Sequence, residues 1–427
     1  MLTTLPSLQI KPIDHPLNAS VRVPGSKSLT NRALLITALA NGTTRLTNAL
    51  FSDDSKYFAQ ALQTLGFDIQ LNEANHEMIV TGLGGKIPSA KAKLFIGNAG
   101  TAARFLSAFL TLGNGEYILD GDSRMRERPI EDLVDALRQL GANPETTNGC
   151  PPVKIIANGL EGGKTKIAGN ISSQFLSALL MIAPYAKSPV EIELTTELNS
   201  KPYVDLTIAI MKEFGVEIVR HGYECFLVKP SFFFPLPSYS IESDASAASY
   251  FFAAPAICGG TVRVENISHS SKQGDIAFLD VLKKMGCEIE EGENSIEVVG
   301  KSSLHGVDVD MRHIPDTAQT LAVTAPFALS PTRIRGIASA RVKETDRVHA
   351  TCTELARLGV SVEEHEDGIT IYPCQTFQPA NIQTYNDHRM AMAFSLIGLR
   401  VEGVTIENPS CVSKTFPNYF DVLDTLR

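Results

Sequence analysis

Two apolar residues, a glycine and then an extended stretch close five helix-like segments of this chain at near-constant spacing. The copies are ALQTLGFDIQ, ALRQLGANPE, IMKEFGVEIV, VLKKMGCEIE and ELARLGVSVE, with glycines at 66, 141, 215, 286 and 359, so that successive gaps are 75, 74, 71 and 73 residues. Glycine enters the left-handed helix-cap conformation without a Cβ penalty, so each copy predicts a helix stop. The alternating residues that follow suit a strand. A second helix recurs between these stops, in GSKSLTNRALLITALA from Gly25, GNAGTAARFLSAFLTLG from Gly97 and NISSQFLSALLMIA from Asn170. The series continues with SDASAASYFFAAPAI from Ser243, IPDTAQTLAVTAPFAL from Ile314 and YNDHRMAMAFSLIGL from Tyr385. Helices this apolar and this rich in small residues are expected to be buried in the middle of a domain. The pattern predicts six repeats, each of two helices and several strands.

The sixth repeat runs out at Arg427, short of where its capping glycine falls, so it is expected to lack its last strand. The leading segment SLQIKPI is available to supply one, which makes one domain discontinuous. The stretch KPSFFFPLPSYSIESD, with Pro230, Pro235 and Pro237, reads as a second crossing between domains. The expected division is a first three-repeat domain at 23–241 and a second at 1–22 with 242–427. The fold class is therefore α/β (α+β).

At 427 residues the chain is long enough for two or three domains, and 44% hydrophobic with 20% charged residues fits a soluble globular protein. No apolar run reaches the roughly 18 residues of a membrane span, and no secretory start is visible. The seven cysteines are scattered without a CxxC pair, which reads as reduced thiols of a cytoplasmic protein. The nine histidines show no HExxH or HxxxH spacing, so no metal is expected. A formal charge of −9 argues against nucleic acid as a partner.

On this acidic chain the cations are placed with unusual regularity. Arg128, Lys201, Lys272, Lys343 and Lys414 open the segments that lead to the glycine stops, at spacings of 73, 71, 71 and 71. A helix N-terminus already carries a partial positive charge, so a cation in its first turn is disfavoured. Five in register predict an anion held by side chains and backbone amides together. Lys27, Arg32, Arg104, Arg347 and Arg389 lie near the starts of the other helices. The expected ligand is a small polyanion. PGSKS is not an ATP loop, because Ser26 separates Gly25 from Lys27 and the upstream glycine is missing.

Ten segments, in order from about residue 20 to the end, resemble the motifs of the 5-enolpyruvylshikimate-3-phosphate synthase family. They are PGSKSLTNRALL at 24–35, GNAGTAARFL at 97–106, RERPIEDLVDAL at 126–137, SSQFLSALL at 172–180 and SKPYVDLT at 200–207. The second half adds SDASAASYFF at 243–252, IPDTAQTLAV at 314–323, RVKETDR at 341–347, NDHRMAMAFSL at 386–396 and SKTFPNYF at 413–420. The resemblance implies two similar domains, each of three βαβαββ units, with the active site in the interdomain cleft. It implies transfer of the enolpyruvyl group of phosphoenolpyruvate to the 5-hydroxyl of shikimate 3-phosphate, with release of phosphate, in aromatic amino acid biosynthesis. A cytoplasmic monomer with these two small-molecule substrates, no membrane partner and no cofactor is expected.

By the same resemblance, Ser172, Ser173, Gln174, Ser200 and Tyr203 hold shikimate 3-phosphate, chiefly its phosphate and ring. Lys27, Ser28, Arg32 and Lys343 contact its carboxylate and hydroxyls, and Ser339 takes a place near its ring where many members carry Asn. Phosphoenolpyruvate sits among Lys27, Gly100, Arg128, Gln174, Arg347, Arg389 and Lys414. Asp316 is the expected base for the attacking hydroxyl and Glu344 the acid that protonates the methylene carbon, with Lys27 beside them. His388 is either an auxiliary proton carrier or a core histidine hydrogen-bonded to its neighbours. Many members also carry Pro where Phe105 follows Arg104. Two other readings stay open: the sister UDP-N-acetylglucosamine enolpyruvyl transferase, whose mobile loop carries a Cys that GDSRMRERP lacks, and a non-catalytic anion-binding repeat protein.

Overall fold

Gly66, Gly141, Gly215, Gly286 and Gly359 stand at φ of 96°, 88°, 88°, 109° and 82°, each just past the end of a helix. This is the left-handed region that a side chain disfavours, and it turns the chain from helix into strand. The structure, a computed structural model, describes residues 5–301 and 303–427. The chain divides into two units, Gly25–Ile241 and Met1–Pro24 with Glu242–Arg427. Each has its own hydrophobic core.

The unit Gly25–Ile241 holds helices α1 (Lys27–Leu39), α2 (Asp53–Thr64), α3 (Gly100–Leu110), α4 (Glu131–Gln139), α5 (Ser173–Ile182) and α6 (Lys201–Glu213). The other unit holds α7 (Ala245–Cys258), α8 (Phe278–Met285), α9 (Ala318–Thr324), α10 (Arg347–Arg357), α11 (His388–Gly398) and α12 (Tyr419–Asp424). Odd-numbered helices are the apolar series, and every residue of α3, α7 and α11 is buried. In the first unit α3 packs on both α1 and α5; in the second α7, α9 and α11 pack on one another. The even-numbered helices bury one face only, as α4 does with Leu133, Val134, Ala136 and Leu137.

Each repeat adds a small sheet outside its buried helix. In the repeat of α3 and α4 the strand order is Lys91–Phe95, Asn114–Asp120, Val153–Asn158, Asn143–Glu145. The first pair is parallel, joined through α3, and the others are antiparallel. The fold is thus mixed α/β, built as three such repeats per unit. No helix among the described residues is long and apolar enough to cross a membrane.

Three repeats borrow a strand from elsewhere in the chain. Ser7–Gln9 pairs antiparallel with Val404–Glu407 in the sheet of the last repeat. Leu17–Arg22 lies parallel to Gly260–Glu265, giving the repeat of α7 its first strand. Conversely, Ser238–Ser240 lies parallel to Asn41–Thr47 in the repeat of α1. The proline-rich stretch read from sequence as a crossing therefore also carries a strand.

The regular cations stand elsewhere than expected. Only Lys201 lies in the first turn of its helix. Arg128, Lys272 and Lys343 precede α4, α8 and α10, and Lys414 ends the short 3₁₀ turn Pro409–Lys414 before α12. Acidic residues occupy first turns instead, Glu131 and Asp132 in α4 and Asp280 in α8, as the helix dipole favours.

Candidate active site

In the unit Gly25–Ile241 the candidate residues lie in the N-terminal parts of α1, α3, α5 and α6, with Arg128 just before α4. Ser26 caps α1 by accepting from Leu29 N–H, and Lys27 and Ser28 form the first turn. Lys27 Nζ is 3.7 Å from Oδ2 of the buried Asp54. Asn31 Nδ2 donates to Thr101 Oγ1 at 2.6 Å, tying α1 to the start of α3, where Gly100 lies. A Cβ at Gly100 falls 2.6 Å from Arg128 Nη2. Arg128 itself donates to Asn98 O and Oδ1 at 3.0 and 2.8 Å. Glycine at 100 is therefore what lets the buried guanidinium lie against the helix start.

Ser172 caps α5, its Oγ accepting from Gln174 N–H at 3.3 Å, with Ser173 behind it in the first turn. Ser200 sits at the N-cap of α6 with φ +56°, a strained conformation for a residue with a Cβ. Asn199 donates from N and Nδ2 to Gly169 O and Asn170 O, so the loops carrying Ser172 and Ser200 are stitched together. Tyr203 follows on α6.

Arg32 links these helices from below. Its Nε donates to Thr207 Oγ1 at 2.7 Å, Nη1 to Ser28 O at 2.9 Å, and Nη2 to Ser177 Oγ and Tyr203 O at 3.3 and 3.1 Å. All four acceptors are neutral and the side chain is 1% exposed. Burial pulls its pKa down to about 10, partly countered by Tyr203.

In the other unit four cations and three carboxylates converge. Asp316, in the 3₁₀ turn that leads into α9, accepts from Lys343 Nζ at 2.6 Å and Arg347 Nη1 at 3.3 Å on Oδ1, and from Arg389 Nη2 at 2.8 Å on Oδ2. Glu344 accepts from Arg347 Nη2 at 2.9 Å, and Lys414 Nζ lies 3.9 Å from its other oxygen. Arg347 also reaches both oxygens of Asp387, which caps α11. Asp346 caps α10 and so fixes Arg347 in its first turn. Burial pulls the Arg347 proton affinity down, but Asp387, Glu344 and Asp316 more than offset it and hold it above the ordinary arginine range. Ser339, half-buried in the 3₁₀ turn Ala338–Val342, precedes this cluster in the chain.

His388 corrects one expectation. It is 1% exposed, yet neither ring nitrogen makes a hydrogen bond to any described residue; Nδ1 stays 3.5 Å from Asp387 Oδ1. Burial first, then Arg389, hold its pKa well below the ordinary histidine value. With no hydrogen bond to a described residue, it is not a hydrogen-bonded core histidine.

Sequence reading missed the partners. Asp54 beside Lys27, Asn98 beside Arg128 and Asp387 beside Arg347 were not singled out. Nor was Tyr250, whose hydroxyl lies 3.4 Å from Arg389 Nη1 and whose pKa burial pushes to about 12. Asp387 left one signal, an aspartate directly before an apolar helix, which is an N-cap pattern.

Two repeat-built α/β units, each with cations gathered at its helix starts, define a protein that handles small polyanions. The family model of EPSP synthase (3-phosphoshikimate 1-carboxyvinyltransferase) matches residues 12–423. The 3-phosphoshikimate 1-carboxyvinyltransferase of Sulfurovum sp. is 51% identical over 424 residues, covering 98% of this chain and 99% of that one. That of Nostoc punctiforme is 49% identical, with 97% of each chain covered. A solved EPSP synthase from Acinetobacter baumannii matches with a TM-score of 0.81 at 27% identity, over 97% of both chains. This chain belongs to the EPSP synthase family. It transfers the enolpyruvyl group of phosphoenolpyruvate to shikimate 3-phosphate; neither the sister transferase nor the non-catalytic reading fits these relatives.

Proposed function

We propose that Asp316 and Glu344 carry the protons of this transfer. The observation behind this reading is that the carboxylates and the cations meet in one hydrogen-bonded cluster, Asp316 held by Lys343, Arg347 and Arg389, and Glu344 by Arg347. In the addition step Asp316 takes the proton of the 5-hydroxyl while that oxygen bonds to C2 of phosphoenolpyruvate. Protonated Glu344 gives its proton to C3, making a methyl group, and a tetrahedral intermediate results. In the elimination step Glu344 takes a proton back from that methyl group and the C–O bond to phosphate breaks. Asp316 returns its proton to the leaving phosphate, so both carboxyls end as they began.

On this reading shikimate 3-phosphate is held by Ser172, Ser173, Gln174, Ser200 and Tyr203, with Ser339 at its ring. Lys27, Ser28, Arg32 and Lys343 bind its carboxylate and hydroxyls. Phosphoenolpyruvate is held by Lys27, Gly100, Arg128, Gln174, Arg347, Arg389 and Lys414. Arginine forks suit its carboxylate and phosphate oxygens bidentately. Incoming anions compete with Asp316 and Glu344 for the same N–H groups and so loosen the ion pairs that hold the two carboxyls. The enzyme acts as a monomer in the cytoplasm, a setting that suits seven free thiols.

The test is phosphate release from phosphoenolpyruvate with shikimate 3-phosphate or UDP-N-acetylglucosamine as acceptor. Release is expected with the first only, and to collapse in Asp316→Asn and Glu344→Gln. Release that persists in either variant would remove that residue from the mechanism.

A further inference from the structure

Arg32 is a buried cation, and no carboxylate among the described residues pairs with it. Its four hydrogen bonds, one from Nε, one from Nη1 and two from Nη2, all go to neutral oxygens. Burying a charge without a counter-charge is unfavourable, and burial lowers the pKa of this guanidinium to about 10. Besides Tyr203, an aromatic ring offsets the cost of burying this charge. The guanidinium carbon lies over the ring of Phe105, 5.3 Å from the centroid, and Phe105 is fully buried on α3. A cation over an aromatic face is attracted by the ring quadrupole, most strongly when both are desolvated. The Asn31–Thr101 hydrogen bond fixes α1 against α3 next to this pair.

We propose that Phe105 is a positioning residue for the acceptor substrate. Its π face is the platform against which the Arg32 guanidinium is held for the carboxylate of shikimate 3-phosphate. The proposal rests on the reading of Arg32 as an acceptor ligand. An aliphatic side chain fills the same space but supplies no quadrupole, so ring electronics, beyond volume, are what position 105 contributes.

The experiment replaces Phe105 with mono-, di- and trifluorophenylalanine in the full-length enzyme, which drains the quadrupole with little change of size. The Michaelis constant for shikimate 3-phosphate should climb stepwise, by about tenfold across the series. The constant for phosphoenolpyruvate, kcat and the thermal midpoint should stay within about twofold or a few degrees. Phe105→Leu should raise the acceptor constant at least as far. A constant that is flat across the fluorinated series overturns the platform. Arg32→Lys separates the two layers. If it raises the acceptor constant while the series is flat, the role of Phe105 fails and that of Arg32 stands. If Arg32→Lys leaves the constant unchanged, the reading of Arg32 fails, and the proposal with it.

Discussion

The guanidinium of Arg347 grips Asp387 with two hydrogen bonds, Nε to Oδ2 at 2.7 Å and Nη2 to Oδ1 at 3.2 Å, while both side chains are almost wholly buried. The remaining reach of the same guanidinium goes to Glu344 and Asp316. Asp387 is thus the fixed counter-charge that leaves Arg347 oriented for the two carboxyls proposed to move protons. Asp387→Ala strands a buried cation and removes the cap of α11. It should cost about 3–5 kcal/mol of stability, seen as a shift of the urea midpoint at constant slope. Asp387→Asn keeps the shape and the cap and should lose less stability. A midpoint for Asp387→Ala within experimental error of the parent would show that Arg347 is held by its other partners alone.

Glu344→Gln and Asp316→Asn preserve size and keep one accepting oxygen each, but cannot exchange a proton. Each should fold with the parent's circular dichroism and lose on the order of a hundredfold or more in kcat. Single-turnover chemistry with pre-bound substrates separates this from a binding defect. Parent-like turnover in one variant would assign its proton to another group.

Gly100→Ala puts a methyl group where Arg128 Nη2 now lies, 2.6 Å from the new carbon. The guanidinium is the end of a flexible side chain, so the protein should fold, with Arg128 displaced from Asn98. The expected outcome is a Michaelis constant for phosphoenolpyruvate raised by about tenfold, a change of about 1.4 kcal/mol, with the acceptor constant little changed. An unaltered donor constant would mean that Arg128 does not need its present position.

The repeats could be read because each helix stop requires glycine, a requirement that is local and survives in the sequence. The buried helices were legible for a similar reason, since small and apolar residues all round leave no solvent face. The exchanged strands were not. Leu17–Arg22 and Ser238–Ser240 find their partners more than a hundred residues away, and nothing in either short segment names them. The cations of the site were legible as a regularity, though their helices begin later than the spacing implied. Their carboxylate partners were not, because Arg347 and Asp387 meet only when α10 and α11 both pack against α9. A sequence gives Asp387 as a cap; the fold makes it an ion-pair partner.

Lys27 and Lys272 both fit the pattern of cations near helix starts, and they should behave differently. Lys27 is mostly buried and lies near Asp54, while the backbone N–H of Lys272 donates to Glu242. Lys27→Met should weaken productive substrate binding by about 2–5 kcal/mol, the loss for a desolvated charge-paired contact. Lys272→Met should change it by less than about 0.5 kcal/mol. Equal effects in steady-state kinetics would mean that the repeat position, not the motif, locates the site.

Alkaline stability should depend on the unit that contains Asp316. Four thiols are buried there, and burial pushes Cys287 up to about 11 and Cys258, Cys352 and Cys411 up to about 12, against an ordinary value of 9.0. Above pH 9 the unfolded chain releases these protons while the native protein keeps them. Stability is therefore complete below pH 9 and is lost as pH rises toward 11 to 12, by about 1.4 kcal/mol per pH unit for each such thiol. In Gly25–Ile241 the cysteines are Cys150 and Cys225, both half-buried, so that unit should be less affected through its thiols. Buried tyrosines such as Tyr250 add a slope of the same sign above pH 10, so the thiol share has to be isolated by substitution. Cys352→Ala removes one titrating group from the surface of α10 that packs inward, at a modest cost in packing. Urea midpoints measured from pH 8.5 to 10.5 should fall for the parent and fall less steeply for Cys352→Ala. Parallel lines for the two proteins would show that Cys352 ionises as easily in the native state as in the unfolded one.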